Sequence, residues 1–171
     1  KDATSVGVDT WGVDFVLLDR DGNLVSNPVH YRDKRTDGMM EWVFERVPRR
    51  EIFEQTGIQF MQINGLYGLA SMVKNASSLL HAASTLLTLP DLFNYWLSGS
   101  KTCEFTDATT LQMLNPRTAD WTRGILERIG IPTNILTPIV YPGDKIGTYE
   151  GLDVIVPSCH DTGSAVVGVP T

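Results

Sequence analysis

The stretch VIVPSCHDTGSAVVG, residues 154–168, decides the fold. Val154, Ile155 and Val156 make a short β-branched run stopped by Pro157, the pattern of a buried strand. Ser158 to Gly163 is turn-forming, and Ser164 to Val167 resumes with small and apolar residues suited to a helix. A strand therefore empties into a helix start, with His160 and Asp161 at the junction. In α/β sheets, ligands collect outside the carboxyl ends of strands, which is where this pair would lie. Two readings of Asp161 fit the local sequence. It is a general base toward a substrate hydroxyl, or it is an N-cap, with Thr162 as the other candidate, for the free N–H groups of the helix.

Outward from this junction the period of the sequence changes twice. KIGTY (145–149) and DVIVP (153–157) read as strands. At the other end SVGVD (5–9) and GVDFVLLD (12–19) are strands, RDGN (20–23) is a turn, and LVSNPVHY (24–31) is expected to return as the hairpin partner. Pro28 marks either an edge position or the end of that pairing.

Helices fill the middle. Pro48 opens one that Gly57 closes, and the segments 65–75 and 76–87 carry apolar residues at three- and four-residue steps. Pro90 opens another, closed by Gly99, whose aromatic content predicts a place deep in the core. Segments 107–115 and 120–130 are expected as helices with Asp107 and Asp120 as N-caps. The whole reads as a mixed sheet with an inserted helical block.

Composition narrows the function classes. The chain has 171 residues, 42% hydrophobic and 20% charged, with net charge −6. It is long enough for one domain with a real core, and it offers no basic footprint for nucleic acid or an anionic membrane. No run approaches the length of a membrane span. Cys103 and Cys159 have neither disulfide-scaffold nor zinc spacing and are expected to be buried thiols. Cys159 beside His160 as a nucleophile is the weaker reading. Neither a P-loop nor a G-x-G-x-x-G occurs.

Two further places put polar residues at strand ends. In VDTWGVDF (8–15), Asp9 and Asp14 flank Gly12, whose bare backbone lets a ligand approach closely. The alternative is a plain turn carrying two solvated carboxylates. Trp11 in that turn is a lid or a plug, half-buried either way. In HYRDKRT (30–36), Arg32, Asp33 and Arg35 make either an ion-pair cluster that holds a loop or a contact for an anionic substrate.

Taken in order, SVGVDTWGVDFVLLD, NPVHYRDKRTDGMM, REIFEQTGIQFMQINGLY, LLTLPDLFNYWLSG, DATTLQMLNPRTADW and SCHDTGSAV resemble the FGGY carbohydrate kinases, closest to their rhamnulokinase branch. The likeness runs through nearly the whole chain. It implies a ribonuclease-H-like, actin-like ATPase domain, and a kinase moving the γ-phosphoryl of ATP, with Mg2+, to the 1-hydroxyl of L-rhamnulose. An L-fuculose or related deoxy-ketose kinase, or a silent sugar-binding protein on the same fold, would share these stretches.

Carried over by position, Asp161 matches the catalytic base. Gly12 matches a sugar-contacting residue, His160 and Thr162 flank the base in the sugar site, and Trp11 lies in the same turn as Gly12. Residues 1–171 are then expected to be a partial N-terminal kinase domain. Its phosphate hairpin would precede residue 1, its nucleotide domain would follow, and the segment by itself would be inactive. No residue here is expected to hold nucleotide or metal, and the parent is expected in the cytoplasm.

Overall fold

The computed structural model describes residues 3–170. Its organising feature joins the two ends of the chain. Strand β1 (Ser5–Val6) runs parallel to β9 (Leu152–Ile155), with Ser5 opposite Asp153 and Val6 opposite Val154. β9 also pairs antiparallel with β8 (Lys145–Tyr149), giving the order β1-β9-β8. Glu150 and Gly151 between them both have positive φ, 50° and 85°, as a tight primed hairpin turn requires. The sheet is mixed, as the sequence predicts.

Beside it lies a second pair, β2 (Phe15–Leu18) antiparallel to β3 (Thr85–Thr88), with Phe15 opposite Thr88 and Leu18 opposite Thr85. This corrects two expectations. Residues 24–31 do not return as the partner of β2. A single bridge from Leu18 to Leu24 is all that remains of that hairpin among the described residues, and β3 pairs along the opposite edge of β2, where the Leu18 carbonyl accepts from the Ser84 N–H. The segment 76–87 is likewise not one helix. It holds α4 (Ser78–Ala82) and then turns into β3.

Burial on both faces explains the difference. Val16, Leu18 and Leu87 pack with Leu92, while Leu17 and Leu86 face the larger core around Leu66, Leu69 and Leu126. A strand covered on both sides has no polar face to exclude one partner or favour another from its own sequence. Leu86→Ala should therefore lower unfolding free energy by about 2–5 kcal/mol, read from urea denaturation. A value near zero would put Leu86 outside the core.

The helical layer contains α1 (Met39–Phe44), α2 (Arg49–Thr56), α3 (Gly65–Lys74), α5 (Leu89–Ser98), α6 (Phe105–Thr110) and α7 (Arg123–Ile129). Gly57 and Gly99 close α2 and α5 in the left-handed region, as their positions predict. The aromatic helix is only half as deep as expected. Leu92 and Asn94 of α5 are buried, but Phe93 and Trp96 are 41% and 53% exposed and stack edge-on at the surface.

Two cap expectations also fail. Asp120 sits in β6 (Asp120–Trp121), where its carboxylate accepts from the Trp121 N–H, and α7 starts after Thr122. Asp107 lies inside α6, fully buried, while Glu104 at the end of β4 (Cys103–Glu104) caps that helix. A glutamate reaches the first-turn N–H groups as an aspartate does, so the earlier residue took the role.

Candidate active site

Parallel pairing of β1 with β9 continues past the strands to an isolated bridge between Thr10 and His160. The Thr10 N–H donates to the Cys159 carbonyl at 3.0 Å, and the Asp161 N–H donates to the Thr10 carbonyl at 2.8 Å. This brings the Thr10–Trp11–Gly12 turn against the Cys159–His160–Asp161 junction, both at the carboxyl ends of their strands. Residues from opposite ends of the sequence meet where α/β proteins place ligands.

Asp161 is the first residue of α8 (Asp161–Val167), and His160 occupies the N-cap position without a side-chain cap bond. The N-cap reading of Asp161 and Thr162 is thereby replaced. Asp161's side chain is 57% exposed, so its carboxylate faces outward rather than into the protein. The His160 Nε2 lies 3.4 Å from Asp161 Oδ1, and the Thr162 hydroxyl donates to the same oxygen at 3.2 Å. Oδ2 has no hydrogen-bond partner recorded among the described residues, which leaves an acceptor for an incoming hydroxyl.

The opposing turn packs closely on α6. Gly12 is buried, and a Cβ there would stand 2.6 Å from Thr110 Cγ2. The close approach that Gly12 permits is thus to Thr110 of α6, a reason for glycine that the sequence alone does not reveal. Val13 follows at φ 70°, an uncommon setting for a β-branched residue. Its N–H donates to Thr110 Oγ1 at 2.8 Å, which offsets the strain of about 1–3 kcal/mol such a conformation carries.

Trp11 is 48% exposed, half-buried as expected, and its indole N–H donates to Asp14 Oδ2 at 2.9 Å. Asp14 is not a solvated carboxylate. Burial pushes its carboxyl above the usual range, and the Trp11 hydrogen bond pulls part of the way back. Asp9 is exposed.

The HYRDKRT stretch holds a loop. Asp33 caps a short 3-10 turn over Lys34–Thr36, accepting from the Arg35 N–H at 2.9 Å and, more weakly, its Nε at 3.4 Å. Arg35 lines a cavity of about 70 Å3 with Asp14, His30 and Asn64, whose walls include none of residues 160–162.

Beneath the junction lies a set of residues that sequence reasoning misplaced or passed over. Glu104 is fully buried, and its carboxylate accepts from the Thr106 N–H (2.9 Å), the Thr106 hydroxyl (2.6 Å), the Asp107 N–H (3.2 Å) and the Cys159 N–H (3.0 Å). Thr106 Oγ1 in turn accepts from the His160 N–H at 3.3 Å. The sequence signal for this is the carboxylate of Glu104 standing just ahead of Phe105-Thr106-Asp107 at a helix start, within reach of the first-turn N–H groups.

Asp91 and Asp107 share this interior. Burial raises Asp91 to about 6 and carries Asp107 well above the carboxylate range, with neighbouring carboxylates adding to both. Both cysteines are buried and free, and burial pushes both thiols upward, which disfavours Cys159 as a nucleophile.

Among the described residues no group of three or more His, Cys, Asp or Glu is placed to hold a metal ion. Magnesium keeps several of its waters and takes one or two carboxylates beside substrate phosphates, so it needs no closed protein cage, and none is formed among the described residues. No helix among these residues is long and apolar enough to cross a membrane.

The mixed sheet, the inserted helices and the exposed Asp161 at the strand ends make an α/β domain with room for a ligand where its strands end. The FGGY family of carbohydrate kinases, N-terminal domain, matches residues 1–168, and the chain belongs to that family. Rhamnulokinase of Pectobacterium carotovorum subsp. carotovorum (strain PC1) is 43% identical over 171 residues, covering 97% of this chain and 34% of that protein. Rhamnulokinase of Bacteroides thetaiotaomicron is 42% identical over 176 residues, with 97% and 36% covered. The chain thus spans about a third of the length of these curated relatives.

Among solved structures, xylulose kinase from Rhodospirillum rubrum superposes with a TM-score of 0.83 at 16% identity, over 92% of this chain and 35% of that one. A carbohydrate kinase from Novosphingobium aromaticivorans gives 0.78 at 23% identity, over 98% and 38%. At such identities the likeness speaks for the fold, and the fold is the actin-like one that the sequence led us to expect.

Proposed function

We propose that the protein carrying this segment is an ATP-dependent sugar kinase that phosphorylates the 1-hydroxyl of L-rhamnulose, in the breakdown of L-rhamnose in the cytoplasm. The observation that carries the reading is the exposed Asp161 carboxylate held against the Trp11–Gly12 turn by the Thr10–His160 bridge. The naming of the curated relatives as rhamnulokinases supports the choice of sugar.

In the reaction, Asp161 accepts the proton of the sugar hydroxyl as its oxygen attacks the γ-phosphorus of ATP, and ADP leaves. Gly12, Trp11, His160 and Thr162 line the sugar's side of the cleft and orient it. Magnesium, held by the nucleotide's phosphates, would supply charge neutralisation there. The remaining two thirds of the protein supplies the nucleotide contacts, so the segment alone does not turn over.

Full-length protein given ATP and a ketose panel tests this. The expected result is ADP release fastest with L-rhamnulose. Preference for L-fuculose would move the assignment within the family, and sugar binding with no ADP release from any ketose would make the protein a sensor on the same fold.

A further inference from the structure

We propose that Glu104 and Thr106 form a hydrogen-bond relay that positions Asp161, an inference that rests on Asp161 being the base. Neither residue touches substrate in this scheme. They act through the backbone of the two residues that precede the carboxylate.

The geometry is a short chain of donors. The His160 N–H donates to Thr106 Oγ1 at 3.3 Å, and the Thr106 hydroxyl donates onward to Glu104 Oε2 at 2.6 Å. The Cys159 N–H reaches that same oxygen directly at 3.0 Å. From the other side, Thr10 takes the Cys159 carbonyl and the Asp161 N–H. Every backbone hydrogen-bonding group from the Cys159 N–H to the Asp161 N–H is therefore committed, the His160 carbonyl accepting from the Ser164 N–H at 3.0 Å.

Of these anchors, Thr10 is itself on a loop, whereas Glu104, fully buried, and Thr106, partly buried, stand at the head of α6. The far end of the same helix presents Thr110 to Gly12 and Val13. One helix thus fixes the base at its N-terminal end and the opposing turn at its C-terminal end. Glu104 is the pivot, because its carboxylate caps α6 and holds the Cys159 amide at once. A local cap alone would use only Thr106 and Asp107. The bond to Cys159 crosses to another element and has no part in capping.

Misplacement of a catalytic group by about 1 Å can cost on the order of a hundredfold in rate. Thr106→Val in the full-length protein keeps the volume and removes the hydroxyl, so the His160 amide loses its acceptor. We expect kcat for sugar phosphorylation to fall at least tenfold at a temperature well below the unfolding midpoint, with the KM for ATP unchanged. Thr106→Ser, which keeps the hydroxyl, should restore kcat to within about threefold of the parent. Amide exchange at His160 should quicken at least tenfold in the valine variant and not in the serine one. Thr106→Ala, also lacking the hydroxyl but small and helix-favouring, serves the same comparison should valine prevent folding.

Asp161→Asn is assayed in parallel. If it is inactive while Thr106→Val turns over normally, the relay is overturned and the base stands. If Asp161→Asn is fully active, the base and with it the relay's purpose both fall. A lowered melting temperature with unchanged kcat in Thr106→Val would reduce the relay to a structural contact and overturn the proposal.

Discussion

Replacing Asp161 with Asn in the full-length protein should lower kcat by about 10²–10⁴-fold, the range that proton transfer to a positioned base contributes. Sugar affinity should stay within a few-fold. The change is nearly isosteric, and the residue it alters is exposed and makes little structural contact. Its recorded side-chain partners are the Thr162 hydroxyl at 3.2 Å and the His160 imidazole at 3.4 Å. An asparagine carbonyl still accepts from Thr162, so the loop and helix start have no reason to move. What is lost is the ability to take a proton from a hydroxyl, since a neutral amide is no base. The pair of measurements is steady-state ADP release and sugar titration by calorimetry. Loss of both together would mean that Asp161 also holds the sugar, and unchanged kcat would remove it from the chemistry.

The parts of this site that were legible in the sequence are those fixed by local residue types. The run of β-branched residues into Ser-Cys-His-Asp-Thr-Gly marks a strand end and helix start, and DTWG marks a turn, without any knowledge of neighbours. What stayed hidden depends on contacts across the chain. Nothing in SVGVD says that it pairs with residue 153, because strand pairing is set by topology. Thr85-Leu86-Leu87-Thr88 follows ASSLLHAAS at spacings that also suit a helix, and a strand buried on both faces shows no alternation to separate it from one. Asp107 looked like a cap because aspartates at helix heads usually are. Only the fold shows that Glu104 already fills that place and that Asp107 has gone inside, with both carboxylate oxygens unpartnered among the described residues.

That interior acid group leads to a second large effect, on stability rather than rate. Asp91 is 1% exposed and accepts from the Thr88 hydroxyl at 2.5 Å and the Glu104 N–H at 3.1 Å, yet burial still raises it to about 6. In the unfolded chain the same carboxyl titrates near 3.9. Between these values the folded protein binds more protons than the unfolded one, so stability falls as pH rises through that window. A difference of about two units corresponds to roughly 2–3 kcal/mol, present below about pH 4 and gone above about pH 6. Asp91→Asn stays neutral throughout and keeps an oxygen for the Glu104 N–H. Relative to the parent, the variant should therefore gain about 2–3 kcal/mol on going from pH 4 to pH 7, seen as diverging urea midpoints. Asp107, raised further by burial and by the charges of Asp91, Glu104 and Asp161, extends the same slope to higher pH. Asp107→Asn should accordingly begin to diverge from the parent at the same pH as Asp91→Asn, where the unfolded carboxyl titrates, and go on diverging to higher pH. Parallel curves for parent and Asp91→Asn across this range would mean that the carboxyl is not neutral when folded, and that Thr88 and Glu104 compensate its burial in full.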